Sequence, residues 1–152
     1  MPVKVLKEFL DNHHVKYMCI NHSPGFTSQE IAAAAHVSGK QLAKTVIVKM
    51  GNQLAMMVLP ANESVNLAAF KEATGAPTAD LARETDFKGK FPECEVGAMP
   101  PFGNLYGMPV FISNHLGDHE QIIFNSGSHS ELMKLAYLDF LRLVNPKIIT
   151  MH

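Results

Sequence analysis

Lys44 stands inside an apolar run, LAKTVIVKM over residues 42–50. Alternation along a strand puts Lys44, Val46 and Val48 on one face and Thr45, Ile47 and Lys49 on the other. A lysine among valines has two uses. It snorkels from a sheet edge, or it projects its cation into a cleft to face a phosphate, a carboxylate or an oxygen on which charge develops. A second candidate is the stretch Gly97-Ala98-Met99-Pro100-Pro101-Phe102-Gly103. Consecutive prolines fix φ and remove two donors, and the flanking glycines reach backbone angles closed to other residues. A loop so stiffened can hold its remaining N–H groups, those of Gly97 and Ala98, against a carbonyl or carboxylate and stabilise charge on oxygen. The plainer alternative is a rigid connection packed down by Phe102.

Asn125-Ser126-Gly127-Ser128-His129 closes another strand-like run. A glycine and two hydroxyls before an imidazole make a polar tip that can converge on a ligand, although a single histidine is more often structural or solvated. His22-Ser23-Pro24-Gly25 is a weaker polar loop of the same kind, and Tyr17 and Asp139 are candidates for lining or bracing. His115-Leu116-Gly117-Asp118-His119 offers two imidazoles and a carboxylate. The segment reads as a hairpin loop, where i,i+4 spacing does not bring both rings to one face. There is no HExxH, no Cys-x-x-Cys, no glycine-rich dinucleotide or phosphate loop and no GxSxG elbow. The sequence therefore asks for no metal and no organic cofactor. Cys94 reads as a buried, inert thiol, and the nine methionines read as core filler.

The elements that would position these groups are short. Val3, Leu6, Phe9 and Leu10 predict an amphipathic helix over about 2–13. Residues 17–20 predict a strand, and Thr27-Ser28-Gln29-Glu30 is a capping box that opens an alanine-rich helix ending near His36. Residues 42–50 and 53–60 predict two strands joined by a turn at Gly51-Asn52. A helix from about Ser64 is stopped by Gly75, and a second helix is expected from Thr78. Residues 92–103 predict a shaped loop, and 108–113 and 121–127 two strands. Residues 131–136 predict a strand before a helix over 137–144 that faces inward with Leu138, Leu141 and Val144; a single helix over the whole segment is the alternative. Interleaved strands and helices with at least one hairpin favour an α+β fold with a mixed sheet over a doubly wound parallel one.

The 152 residues fit a single domain spanning 1–152. No apolar run approaches the roughly 20 residues that span a bilayer, and the N-terminal MPVKVLKEFLDNHH is charged and periodic, unlike a secretory signal. Two cysteines make no disulfide framework, and a reducing cytoplasm is the expected compartment. Net charge is −1; seven basic and five acidic residues through Ala76 give +2, and six and nine beyond it give −3. A chain that grips DNA through many phosphates carries a strong basic excess, so broad duplex binding is not expected. A pocket that reads one end of a nucleic acid is compatible with this balance.

From about Phe26 to Lys147 the chain resembles the YbaK family, free-standing relatives of the editing domain inserted in bacterial prolyl-tRNA synthetases. The markers are Gly39-Lys40-Gln41-Leu42-Ala43-Lys44-Thr45-Val46, the Glu95–Gly103 loop with its GxxxP core, Phe124–His129, and the closing Asp139–Val144 segment. They stand in the family's order. The first 25 or so residues carry little of the signature, so His22 and Tyr17 transfer weakly. The resemblance implies a mixed, partly antiparallel, barrel-like sheet with surrounding helices. It implies metal-independent hydrolysis of the ester in a mischarged tRNA, with Ala-tRNA(Pro) or Cys-tRNA(Pro) as substrate and a prolyl-tRNA synthetase as a partner. By the same resemblance Lys44 is required for deacylation, Gly97 to Pro101 shape the aminoacyl pocket and His129 lies at it. Catalytic roles are thus expected for Lys44, Gly97 and His129. Substrate contacts are expected for Ala98, Met99, Pro100, Pro101, Phe102, Gly127, Ser128 and His22. The expectation is that Lys44 and the Gly97–Pro101 loop meet in one small cavity. Two rival readings are a metal-dependent hydrolase using His115, His119 and Asp118, and a module that binds an aminoacyl or nucleotide ligand without turnover.

Overall fold

A computed structural model describes residues 3–21 and 41–150. The capping-box helix and His22 lie outside the described residues.

Helix α1 (Lys4–Asn12) buries Leu6 and Leu10, four residues apart, and exposes the pairs Lys4–Glu8 and Lys7–Asp11. Its entry is fixed by Val3 N–H, which donates to Ser126 O at 2.9 Å. Strand β1 (Tyr17–Asn21) follows. Strands β2 (Ala43–Met50) and β3 (Gln53–Pro60) pair antiparallel from Met50–Gln53 to Ala43–Pro60 around the expected two-residue turn. Helix α2 (Leu67–Thr74) starts three residues later than Ser64 because Asn66 is its cap, accepting from Ala69 N–H at 3.0 Å. It ends on Gly75 at φ 72°.

The helix expected from Thr78 does not form. Residues Ala79–Leu81 instead make strand β4, antiparallel to β2, and a 3-10 turn at Glu84–Asp86 follows. The open edge of β2 supplies the ladder partners that this segment would otherwise find within a helix, and Ala82 N–H continues the contact to Ile47 O at 2.9 Å. Strand β5 (Val110–Ser113) runs parallel to β3, and β8 (Lys147–Ile149), unanticipated from its three residues, runs parallel to β5. Strands β6 (Gln121–Asn125) and β7 (Glu131–Ala136) form an antiparallel hairpin whose second strand also pairs with β1. Residues 131–144 are thus a strand and then helix α3 (Tyr137–Val144), as expected. The inward face of α3 is Tyr137, Phe140 and Val144, whereas Leu138 is 76% exposed. The aromatic pair, not the leucines, sets the helix's rotation.

The fold is therefore α+β with mixed pairing. A five-stranded sheet, β4-β2-β3-β5-β8, and a three-stranded sheet, β1-β7-β6, are linked by one parallel bridge, Leu42–Ile123. The sheets do not close into a barrel. Ala43, Ile47, Met56, Val58 and Ile112 on one face of the larger sheet pack with Leu6, Leu10, Phe102, Phe124 and Phe140. Val48, Met57, Leu59 and Phe111 on the other pack against Phe70 of α2. Among the described residues, no helix is long and apolar enough to cross a membrane.

Candidate functional site

Two irregular segments are stitched together at the C-terminal end of β6. Glu95 N–H donates to Gly127 O at 2.8 Å, and Gly127 N–H donates to Ala98 O at 3.0 Å. The Glu95 carboxylate accepts from the backbone N–H of His129 at 3.0 Å. The His129 ring then folds over Gly97, where a Cβ would lie 3.3 Å from its Cε1, at a backbone φ of +85°. A side chain there is opposed twice, by the left-handed backbone and by the imidazole. His129 Nε2 lies 2.6 Å from Val96 O. A carbonyl oxygen only accepts, so Nε2 carries the proton and donates it to Val96 O.

The loop's rigidity has a visible source. Phe102 is fully buried and packs on Phe9, Phe124 and Phe140 with ring centroids 6.2, 5.5 and 5.4 Å away. Ala98, Met99, Pro100 and Pro101 are also buried. Phe102 thus anchors the loop from within the core and is not a wall open to a ligand. Nor are both expected backbone donors free. Ala98 N–H is used in a turn to Glu95 O at 3.0 Å. Among the described residues, Gly97 N–H faces only the Met99 thioether, at 3.3 Å. Sulfur is a weak acceptor, so this N–H is the one that a substrate oxygen can claim at little cost.

Lys44 approaches the same strand end from the larger sheet. Leu42, Ile123 and Leu132 pack together on one face, and Asn125 lies opposite Leu132. Lys44 and Asn125 each stand two residues beyond the parallel Leu42–Ile123 bridge, on the same faces of their strands as those two residues. Lys44 is half-buried. Burial pushes its pKa down from 10.5, and the Glu63 carboxylate partly opposes this. Among the described residues it has no hydrogen bond and no ion pair within 4 Å.

The other candidates separate from this cluster or brace it. Gly127 is buried at φ +119°, with Val3 where a Cβ would be, and Ser128 Oγ is 3.1 Å from Ser130 Oγ. Tyr17 donates to Asp11 at 3.1 Å, and Asp139 pairs with Arg142 at 3.2 Å, so both brace. His115 to Asp118 lie in a 3-10 helix (Asn114–Asp118), not a hairpin loop, and His115 Nδ1 sits 2.9 Å from the Glu63 carboxylate. Among the described residues, no three His, Cys, Asp or Glu side chains are grouped to hold a metal ion. Cys94 is held 3.6 Å from the Tyr106 hydroxyl, and burial raises its pKa. A cavity of about 110 Å³ beside the loop is lined by Phe87, Phe91, Cys94, Val96 and Met99 among others; Lys44 and His129 are not in its lining. Sequence reasoning passed over Glu63 and the Glu95 side chain. Glu95 stood in the quoted loop motif, but nothing local marks its reach to residue 129.

This arrangement, a glycine loop clipped to a polar strand end beside a lysine strand, defines a class. The chain belongs to the aminoacyl-tRNA editing domain family, whose model matches residues 22–143. Among solved structures it is similar to the "hypothetical protein APE2540", at 19% identity and TM-score 0.83, covering 95% of this chain and 97% of that one. It is also similar to a protein described as "a putative trans-editing enzyme for prolyl tRNA synthetase", at 14% identity and TM-score 0.82, covering 97% and 94%. At these identities the likeness is one of fold. No curated protein matches the sequence.

Proposed function

We propose that this chain hydrolyses the ester joining a wrong small amino acid to tRNA, with Ala-tRNA(Pro) or Cys-tRNA(Pro) as substrate. The observation that carries the reading is the Gly97 loop: one weakly held N–H on a rigid glycine beneath an imidazole. Proline, alanine and cysteine are close in size, and a hydrophobic pocket separates them by only about 1–3 kcal/mol per methylene. A synthetase that activates proline therefore mischarges the smaller ones, and a second site too tight for the correct residue removes them.

An aminoacyl ester is already activated, so positioning and charge stabilisation suffice. Gly97 N–H exchanges the Met99 sulfur for the ester carbonyl oxygen. Lys44, half-buried and within the field of the Glu63 carboxylate, holds the terminal phosphate or ribose and favours negative charge on the carbonyl. Water adds to the carbonyl carbon and the bond to the ribose oxygen breaks. That oxygen takes the proton, releasing the amino acid and an uncharged 3′ end. His129 lines the pocket, and its ring orients the water. Ala98, Met99, Pro100 and Pro101 shape the loop from beneath, and Gly127 and Ser128 hold its far side. With a net charge of −1, affinity for free tRNA is low, and a synthetase partner in the cytoplasm supplies the rest.

The test is a panel of Ala, Cys and Ser on tRNA(Pro) and Ala on other tRNAs, scored for loss of the acyl group, with wild type and Lys44→Ala. Wild type is expected to clear Ala- or Cys-tRNA(Pro) in the presence of chelator, and Lys44→Ala to be inactive but folded. Full activity in Lys44→Ala removes Lys44 from the mechanism. Activity lost to chelator favours the His115, His119 and Asp118 reading. Binding without turnover favours a non-catalytic module.

A further inference from the structure

Asn125 carries an unexplained group. Its Oδ1 is shielded from solvent and has no hydrogen-bond partner among the described residues. Buried acceptors are nearly always satisfied, because an unmet one forfeits its hydration for nothing. The residue as a whole is only half-buried, so the amide sits at the boundary of the interior. The terminal torsion of asparagine is soft, and a modest rotation presents Oδ1 to a ligand. Its position is also particular. Asn125 ends β6, directly before the Ser126–His129 turn that clips the Gly97 loop, and like Lys44 it stands two residues beyond the Leu42–Ile123 bridge.

We propose that Asn125 is a substrate-binding residue whose Oδ1 accepts a hydrogen bond from the free hydroxyl of the terminal ribose, the one vicinal to the ester. The inference rests on the aminoacyl-tRNA reading above. The choice of donor follows by elimination. The ester's carbonyl and bridging oxygens carry no hydrogen. The substrate's ammonium group is disfavoured beside the Lys44 cation. The remaining donor next to the scissile bond is the vicinal hydroxyl, which is neutral. Held there, the hydroxyl keeps the sugar oriented while Gly97 N–H meets the carbonyl.

The test uses Asn125→Leu, close in shape and without an acceptor, and Asn125→Asp, which keeps one. Two non-hydrolysable ligands are compared on the full chain by calorimetry: alanine in amide linkage to the 3′-amino-3′-deoxyadenosine end of an acceptor-stem RNA, and the same RNA lacking the terminal 2′-hydroxyl. Wild type is expected to prefer the hydroxyl-bearing ligand by roughly tenfold, as expected when a buried hydrogen-bonding group is left unpaired. Asn125→Leu is expected to show no preference and to melt no lower than wild type, since it relieves an orphaned acceptor. Asn125→Asp is expected to retain the preference. If Asn125→Leu discriminates as wild type does, or, should it fail to fold, if Asn125→Asp loses the preference, the assignment is overturned. If wild type neither binds these ligands nor deacylates any member of the tRNA panel, the functional reading itself fails. If wild type deacylates but does not discriminate, only the role of Asn125 falls.

Discussion

Gly97→Ala separates what the backbone costs from what the site costs. A Cβ at φ +85° carries the left-handed penalty of about 1–2 kcal/mol. For a chain of this size that corresponds to a fall in Tm of about 2–8 °C. The same Cβ lies 3.3 Å from His129 Cε1, tight enough that the ring or the loop gives by a few tenths of an ångström. The ring is tethered at 2.6 Å to Val96 O in the same loop, so neither moves alone. Because reacting groups misplaced by 1 Å lose about a hundredfold, the smaller shift should lower deacylation by roughly tenfold to a hundredfold. Gly75→Ala is the control. Its φ of +72° carries the same backbone penalty, but nothing lies within 4 Å of its Cβ and it ends α2. The assay is thermal melting of both variants, followed by single-turnover hydrolysis of mischarged tRNA. Gly97→Ala should lose at least as much stability as Gly75→Ala, and only Gly97→Ala should lose rate. Equal rates in the two variants would refute the claim that the Gly97–His129 contact positions the reaction.

Other outcomes follow from the same geometry. Phe102→Ala empties a fully buried aromatic site and should lower stability by about 3–5 kcal/mol in denaturant titration; a loss below 1 kcal/mol would mean that Phe102 does not anchor the loop. Met99→Leu removes the sulfur that faces Gly97 N–H while conserving volume, so deacylation should stay at or above the wild-type rate; a tenfold fall would place the thioether in the reaction. Because burial lowers the Lys44 pKa below 10.5, the folded chain holds fewer protons than the unfolded chain between those two values. Stability therefore rises with pH through that window. Lys44→Met lacks this rise and should melt above wild type near neutrality, with the gap narrowing as pH climbs towards 10.5; a constant gap would contradict the burial of the charge.

How far the residues alone announce this architecture depends on where the information sits. The β2–β3 hairpin is written locally, in two alternating runs around Gly51-Asn52, and it forms in that register. Helix α2 likewise carries its stop at Gly75. Strand β4 is not local at all: residues 79–81 are a strand because β2 offers an unpaired edge, and β8 is one because β5 does. The rotation of α3 is non-local for a related reason, since Tyr137 and Phe140 win the interior over Leu138 only once the core has a shape. At the site, the residue types at 44, 97 and 129 were legible, as was the stiffness of the loop. The use of Ala98 N–H in a turn, the burial of Phe102 and the tethering of His129 to Val96 and Glu95 were not, because each is a contact between segments some thirty residues apart or a detail of backbone direction.

In the proposed mechanism the Gly97 N–H and the Lys44 amine meet at one aminoacyl end. A crystal structure of the full chain with the amide-linked alanyl RNA end tests it most directly. The ligand carbonyl oxygen is expected about 2.7–3.1 Å from Gly97 N, with the Met99 sulfur displaced and Lys44 Nζ contacting the same ligand's phosphate or ribose. A ligand seated instead in the groove of Lys49, Asp80, Arg83 and Asp86, with Gly97 N still on the thioether, would contradict it.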